Sequence, residues 1–157
     1  MEEGRTLGSL LQELLDRLDA GLLDVYLAEG LDYRPRFTPV MRVLAERGPS
    51  SIASIARTAP LTHSAASQTV AQMVKLGLVS MTSGADRRER IASLTKKAEA
   101  MLPRIREHWA TSAIVLRKLM DETGFPLDRA LQATLTALSH KSLHERIKEN
   151  SRMQMPN

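Results

Sequence analysis

The sequence predicts a mainly α-helical protein with a small β-hairpin. Three observations support this fold class. Long stretches near both ends repeat apolar residues at three- and four-residue steps, as amphipathic helices do. A polar segment from Leu61 to Gly77 follows Pro60 and keeps the same spacing. Two short alternating segments, 78–81 and 91–94, then flank an arginine-rich tip, which is typical of a hairpin.

Residues 1–30 are predicted to form a dimerisation helix. Its apolar stripe consists of Leu7, Leu11, Leu14, Leu18, Leu22 and Val25. A stripe of this length has to be buried against another surface, and the compact central region is too small to cover all the terminal helices. We therefore expect a twofold homodimer with interleaved terminal helices. The alternative is a helical bundle that closes within one chain.

Residues 31–95 are predicted to form the next domain, which opens with a stiff, basic segment, 34–39, and two helices. Residues 38–46 should form the first of these helices. Ser51 is expected to cap the second, which is short. The residues directed to their common core are Val40, Val43, Leu44, Ile52, Ile55 and Ala56.

A polar helix follows, with Thr62 as its cap and His63 as its first residue. Its inward stripe is Ala66, Val70, Met73 and Leu76, and its other face carries small and amide side chains. Such a face suits a groove about 12 Å wide, where glutamine pairs with adenine. The candidate base-reading residues are Thr62, His63, Ser64, Ala65, Ser67, Gln68 and Gln72. The alternatives are that Gln72 is a surface amide and that the serines are caps or phosphate contacts.

The hairpin completes the domain. Gly77 can end the polar helix in the left-handed conformation, and Gly84 can turn the chain between the two strands. The predicted DNA-binding residues at the tip are Asp86, Arg87, Arg88 and Arg90. Two helices, a polar helix and a basic hairpin make a winged helix-turn-helix. The alternative is that the arginines only form a solvated charge cluster.

The segment from Asp86 to Thr95 resembles the wing signature of the MarR (multiple antibiotic resistance regulator) family, in which an aspartate and an arginine precede a Leu-Thr pair. The triplet 77–79, Gly-Leu-Val, also matches the end of that family's recognition helix. Two positions differ from the family pattern. No lysine or arginine precedes Lys75 in the recognition helix, and Ala98 replaces the glycine that often follows the Leu-Thr pair.

The resemblance implies a homodimeric transcriptional regulator, here expected to be a repressor, whose affinity for a pseudo-palindromic operator responds to a small molecule. It assigns Arg88 to the minor groove and Asp86 to orienting the wing. It also implies an effector pocket between the dimer helices and the DNA-binding domain. The expected pocket residues are Tyr33, Arg36, Phe37, Met41 and Trp109. They suit a small aromatic or anionic ligand, unless Phe37, Met41 and Trp109 only form core.

Residues 96–150 are predicted to form the C-terminal dimerisation helices, and 151–157 a frayed tail. One apolar stripe contains Met101, Ile105, Trp109, Leu116 and Leu119, and the other contains Leu127, Leu131, Leu135 and Leu138. We expect Leu131, Leu135 and Leu138 to contact the partner subunit, together with Leu7, Leu11, Leu14 and Leu18. Pro103 should kink the first of these helices or mark its start.

His140 and His144 are four residues apart on a predicted helix, with Glu145 beside them. This spacing can place two imidazoles on one metal ion. Solvated surface histidines are the more common outcome, and no third ligand is in register. We therefore predict no metal and no cofactor.

Charge and composition agree with a DNA-binding protein. Residues 1–30 carry a net charge of −5, whereas residues 31–95 carry +5 and residues 96–157 carry +4. Positive charge concentrated on one domain favours phosphate binding. The chain contains no cysteine, which excludes disulfides, zinc–thiolate sites and thiol redox switches.

The sequence contains no recognisable catalytic motif, no membrane-spanning stretch and no signal-peptide pattern, so we expect a cytoplasmic protein that is not an enzyme. The alternative function is a winged-helix module that binds proteins and has no specific affinity for DNA.

Overall fold

A computed structural model describes residues 4–84 and 90–153 of the chain. The chain divides into two compact units, one ending at Arg106 and the other beginning at Glu107. The boundary falls within helix α5, which runs from Lys96 to Thr123.

The first unit holds most of the secondary structure. Its elements in chain order are α1 (Leu7–Ala28), a 3-10 turn (Pro35–Phe37), α2 (Thr38–Arg47), β1 (Ser50–Ser51), α3 (Ile52–Thr58), α4 (His63–Lys75), β2 (Val79–Ser83), β3 (Arg90–Leu94) and the start of α5. The second unit contains the rest of α5 together with α6 (Leu127–His140) and α7 (Leu143–Met153). The mainly helical fold with a small hairpin is confirmed.

Both predicted helix caps in the central region are confirmed. The Ser51 hydroxyl accepts a 3.3 Å hydrogen bond from the amide of Ser54, and the Thr62 hydroxyl accepts a 3.1 Å bond from the amide of Ala65. Each cap satisfies an amide that the first turn of its helix cannot pair. Helices α3 and α4 therefore begin at the residues that the sequence indicates.

The sheet has one strand more than the predicted hairpin. All pairing is antiparallel, in the order β1-β3-β2. Val79 pairs with Leu94, and Ser83 pairs with Arg90, while Ser50 of β1 pairs with Ala92. A two-residue strand is too short to produce an alternating pattern, so β1 was not predicted. Its pairing fixes the start of α3 beside the returning strand of the hairpin.

An aromatic cluster forms the centre of the first unit. The rings of Tyr26 and Tyr33 meet edge to face with their centroids 5.0 Å apart, and Tyr33 meets Phe37 in the same way at 6.0 Å. The Tyr33 hydroxyl lies 3.0 Å from the Thr38 hydroxyl oxygen. Tyr26 therefore faces the core, whereas Val25, which the sequence placed in the inward stripe, is exposed.

The leucine stripe of α6 is exposed in the single chain. Leu127, Leu131, Leu135 and Leu138 have exposed fractions of 37, 38, 62 and 39%. In α1, Leu7 is 67% exposed, while Leu11, Leu14 and Leu18 are half-buried. Burying such faces is strongly favourable, at roughly 25 cal/mol for each Å² of apolar surface.

The expectation that His140 and His144 share one helix is wrong, because α6 ends at His140 and α7 begins at Leu143. Ser142 starts the new helix through a reciprocal capping box. Its hydroxyl accepts a 3.3 Å hydrogen bond from the Glu145 amide, and the Glu145 carboxylate accepts a 2.8 Å bond from the Ser142 amide. The four-residue spacing of the two histidines therefore does not reflect one helical turn.

Pro103 lies inside α5, whose first residue is Lys96, so the proline does not mark the start of this helix. In the part of the chain that the structure describes, no helix combines the length and apolarity needed to span a membrane.

Candidate nucleic-acid interface

Helix α4 presents one polar face and buries the other. Ala66, Val70 and Met73 are almost completely buried, as their spacing predicts. On the other face, the exposed residues are Thr62, His63, Ser64, Ser67 and Gln68, and Ala65 is half-buried. The exposed polar residues occupy the first two turns, the part of a recognition helix that reaches base edges in a helix-turn-helix.

Gln72 lies in a different environment from Gln68. Its side chain is half-buried, and its Oε1 atom is buried without a hydrogen-bond partner among the described residues. The two glutamines are one turn apart on the same helix, but only Gln68 is exposed. The structure therefore favours Gln68 over Gln72 as a base-reading side chain.

Strands β2 and β3 form the base of the wing. Arg90 is exposed and pairs with Ser83 at the end of the ladder. Asp86, Arg87 and Arg88 lie outside the described residues. Among the predicted wing residues, the structure thus places Arg90 alone, at the point where the tip segment rejoins the sheet.

The Leu-Thr pair after the wing joins α4 to α5. Gly77 has φ +68°, the left-handed conformation that allows the chain to leave α4. The Thr95 hydroxyl donates a 2.7 Å hydrogen bond to the Gly77 carbonyl, and its oxygen accepts a 3.3 Å bond from the Ala98 amide. Thr95 therefore caps α5 and contacts the end of α4 with the same hydroxyl group.

Of the five predicted effector residues, the structure brings Tyr33, Arg36 and Phe37 together. Tyr33, Phe37 and Met41 are in the core of the first unit, with at most 1% of each side chain exposed. Arg36 is exposed, with its guanidinium carbon 5.8 Å from the centre of the Phe37 ring. Trp109 is half-buried and belongs to the second unit.

A cavity of about 170 Å³ lies between the 3-10 turn and the end of α4. Its lining residues are Arg34, Arg36, Phe37, Gln72, Lys75 and Leu76. Three of these side chains are cationic, and Gln72 contributes to the same lining. The sequence indicated a basic segment before α2, but no pattern showed that the end of α4 packs beside it. The arrangement can bind a small anion that also carries an apolar part.

Residues 38–89 match the family model of the MarR family. The matched range begins with α2, includes α3, α4 and β2, and ends immediately before β3. No curated protein matches the chain.

Solved structures with this fold cover most of the chain. The Mycobacterium tuberculosis transcriptional regulator MOSR, solved in complex with DNA, has a TM-score of 0.66 and 19% sequence identity, covering 87% of this chain and 97% of that one. A probable transcriptional regulator from Pseudomonas aeruginosa has a TM-score of 0.59 and 21% identity, with coverage of 85% and 96%.

A third similar structure is BpsR of Bordetella bronchiseptica, whose DNA binding is regulated by 6-hydroxynicotinic acid. Its TM-score is 0.54 at 14% identity, and the match covers 79% of this chain and 96% of BpsR. At these identities the likeness establishes the winged-helix fold.

Proposed function

We propose that this chain is a transcriptional regulator of the MarR family, whose model matches residues 38–89, and that it is a ligand-responsive repressor that binds a pseudo-palindromic operator as a homodimer. The observation that carries the proposal is that α4 is amphipathic, with one buried apolar face and one exposed polar face. Ala66, Val70 and Met73 anchor one face in the core, while the capped first turns expose serine, histidine and glutamine. An anchored helix with a polar, uncharged face is suited to base edges in a major groove.

We assign each of three side chains a different contact with DNA, according to its chemistry. Gln68 would pair with a base, because its amide offers a donor and an acceptor side by side. Arg88 would enter the adjacent minor groove, as the family resemblance implies. Arg90 would contact a phosphate near the base of the wing and so fix the orientation of the protein without reading sequence.

Dimerisation is supported by the exposed apolar faces of the terminal helices. Leucines along α6 and the beginning of α1 leave apolar surface open in the single chain. A twofold dimer that covers these faces would present two copies of α4. Their separation should be about 34–36 Å, one turn of B-DNA, which requires an inverted-repeat operator.

The cavity at the end of α4 supports a ligand response. The cavity has a volume of about 170 Å³ and is open to solvent between exposed Arg34, Arg36 and Lys75, so a small aromatic ligand there would be partly enclosed. The cationic lining favours an aromatic carboxylate. Gln72 and Lys75 belong to the recognition helix, so a ligand bound there would contact it directly. Such a ligand would weaken DNA binding by the difference between its affinities for the two arrangements of α4.

A regulator of this kind would act in the cytoplasm, where DNA is accessible, and we propose no catalytic activity for it. Its partners would be double-stranded DNA, a second copy of the chain and a small effector.

Selection of bound duplexes from a random-sequence pool tests the proposal. We expect enrichment of an inverted repeat whose half-sites lie about one helical turn apart. A pool that stays random after several rounds would instead support a protein-interaction module. The observation that favours this second function is the absence of a lysine or arginine in α4 before Lys75.

A further inference from the structure

The end of the recognition helix is held by two residues at the start of α5. Three successive carbonyl oxygens accept hydrogen bonds there. The Leu76 carbonyl accepts from the Lys97 ammonium at 2.8 Å, and the Gly77 carbonyl accepts from the Thr95 hydroxyl at 2.7 Å. The Leu78 carbonyl accepts from the Thr95 amide at 3.1 Å. Each carbonyl group of residues 76–78, which leave α4, is therefore hydrogen-bonded to Lys97 or Thr95.

Lys97 also contacts the segment that follows α1. Its ammonium nitrogen lies 3.8 Å from Oδ2 of Asp32. Seven residues further along α5, Arg104 donates a 2.7 Å hydrogen bond to the Glu29 carboxylate, at the end of α1. Helix α5 thus contacts the C-terminal cap of α1 through Arg104 and the segment after α1 through Lys97, which also binds the end of α4.

We propose that Lys97 is a positioning residue for DNA recognition. Its ammonium connects Asp32 with the Leu76 carbonyl, an arrangement that we call the Lys97 bridge. The bridge fixes the orientation of α4 relative to the rest of the domain. It therefore determines how the exposed first turns of α4 approach base edges. This inference rests on the proposed function.

The location of the Lys97 bridge explains why we expect it to affect the orientation of α4 and not the stability of the fold. The ammonium binds a carbonyl at the C-terminal end of α4, where a cation is favourable because unpaired carbonyls point outward. The buried stripe of α4 anchors the helix without help from Lys97. The side chains of Lys97 and Asp32 are 49% and 57% exposed, so their ion pair adds little to folding stability.

Lys97→Met tests the bridge by removing the ammonium while keeping most of the aliphatic chain. Lys96→Met is the matched control, because the Lys96 side chain is exposed, has no hydrogen bond or ion pair with another described residue, and carries the same charge. We expect Lys97→Met to weaken binding to the selected operator by about fivefold or more relative to Lys96→Met. Affinity for a shuffled duplex should be the same in both variants.

The salt dependence separates positioning from a direct phosphate contact. Loss of a phosphate contact lowers the slope of log K against log salt by about 0.9. We expect the slopes of Lys97→Met and Lys96→Met to be equal. A lower slope for Lys97→Met alone would overturn the bridge in favour of a phosphate contact. Lys97→Arg, which keeps a donor and the charge, should restore most of the operator affinity.

Asp32→Asn gives the sharpest test, because the overall electrostatic field and the Lys97 bridge predict opposite changes in operator affinity. Removing a negative charge from a DNA-binding domain strengthens binding if only the overall field matters. The bridge predicts weaker operator binding, and no further loss when Asp32→Asn is added to Lys97→Met. Unchanged or stronger operator binding by Asp32→Asn would overturn the proposal.

Amide hydrogen exchange tests the bridge without DNA. We expect Lys97→Met and Asp32→Asn to accelerate exchange at Leu76, Gly77 and Leu78, and Lys96→Met to leave it unchanged. If the wild-type protein prefers no duplex but the exchange result holds, the proposed function fails and the bridge stands. If exchange is unaffected by both variants, the bridge fails whatever the DNA result.

Discussion

The hydroxyl group of Thr95 lies 2.7 Å from the carbonyl oxygen of Gly77, to which it donates a hydrogen bond, and it also accepts one from the amide of Ala98. The first bond holds the chain as it leaves the recognition helix, and the second caps α5. Because one hydroxyl group makes both hydrogen bonds, the threonine of the Leu-Thr pair has a structural role. The residue that ends the wing also fixes the junction of two helices.

Replacing Thr95 by Val should therefore destabilise the protein. The change keeps the side-chain shape but removes both hydrogen bonds, one of which caps α5, at a cost of about 1–3 kcal/mol. The free energy of unfolding from urea denaturation measures this loss. Thr82→Val is a matched control, because Thr82 is exposed on β2. Equal stability of the two variants would show that the Thr95 hydroxyl has no structural role.

Gln68→Ala should relax base preference at one position of each half-site. The exposed amide is placed to pair with a base, and such a pair contributes about 1–3 kcal/mol of discrimination. Binding of duplexes that carry each single base change measures the effect. Gln72→Ala serves as the comparison, because its side chain lines the cavity and its Oε1 is buried. If Gln72→Ala broadened preference instead, the assignment of the two glutamines would be reversed.

Arg88→Ala should weaken binding to operator and shuffled duplex alike and lower the salt slope by about 1. The reason is the loss of one cation from the DNA interface, as the family resemblance implies. Titrations at several salt concentrations give the slope. Arg152→Ala, in α7, removes the same charge outside the proposed interface. An Arg88→Ala slope equal to that of Arg152→Ala would remove this residue from the interface.

Much of the winged helix was predictable because its signals are local. Thr62 caps α4, and the inward stripe gives its period, so both the start and the buried face follow from neighbouring residues. β1 was missed because two residues form no pattern. The break after His140 was missed although Ser142 and Glu145 have the spacing of a capping box, since the two histidines suggested a continuous helix.

The candidate ligand site depends on contacts between distant segments, which the sequence does not reveal. Tyr33, Phe37 and Met41 suit a pocket wall by composition, but all three are buried in the core, and of the three Phe37 alone lines the cavity. Lys75 and Gln72 line the cavity because the end of α4 packs beside the 3-10 turn. Residue type alone does not distinguish an apolar wall from an apolar core.

Benzoate, used as a probe, should weaken operator binding, and Arg36→Met should reduce this effect. The guanidinium lines the cavity and can bind a carboxylate through two hydrogen bonds. The ratio of operator dissociation constants with and without benzoate measures the coupling. Arg47→Met provides the control, since Arg47 is an exposed arginine of α2 that does not line the cavity. An equal ratio in the two variants would place the ligand elsewhere.

The stability of the first turn of α7 should depend on pH. Hydrogen bonds from the Ser142 hydroxyl and amide hold the pKa of the Glu145 carboxyl below its ordinary value. A carboxyl with a lowered pKa in the folded state stabilises above its unfolded pKa, about 4.3, and loses that contribution as the pH falls through the folded pKa. The protection of the Ser142 amide, measured as its exchange rate relative to the intrinsic rate at the same pH, should therefore fall on acidification below about pH 4.

Glu145→Gln is the control for this pH effect. An amide side chain does not titrate in this range, so the acid-dependent change at Ser142 should disappear in the variant. If the wild type and Glu145→Gln respond equally to acid, another group governs the start of α7.

Sequence-specific DNA binding is the central claim, and fluorescence anisotropy tests it most directly. The purified protein is titrated into labelled DNA from the region upstream of its own coding sequence and into a shuffled duplex of equal length, at near-physiological salt. We predict a clear preference for the native duplex. Equal, salt-labile binding to both duplexes, or binding to neither, would contradict the account.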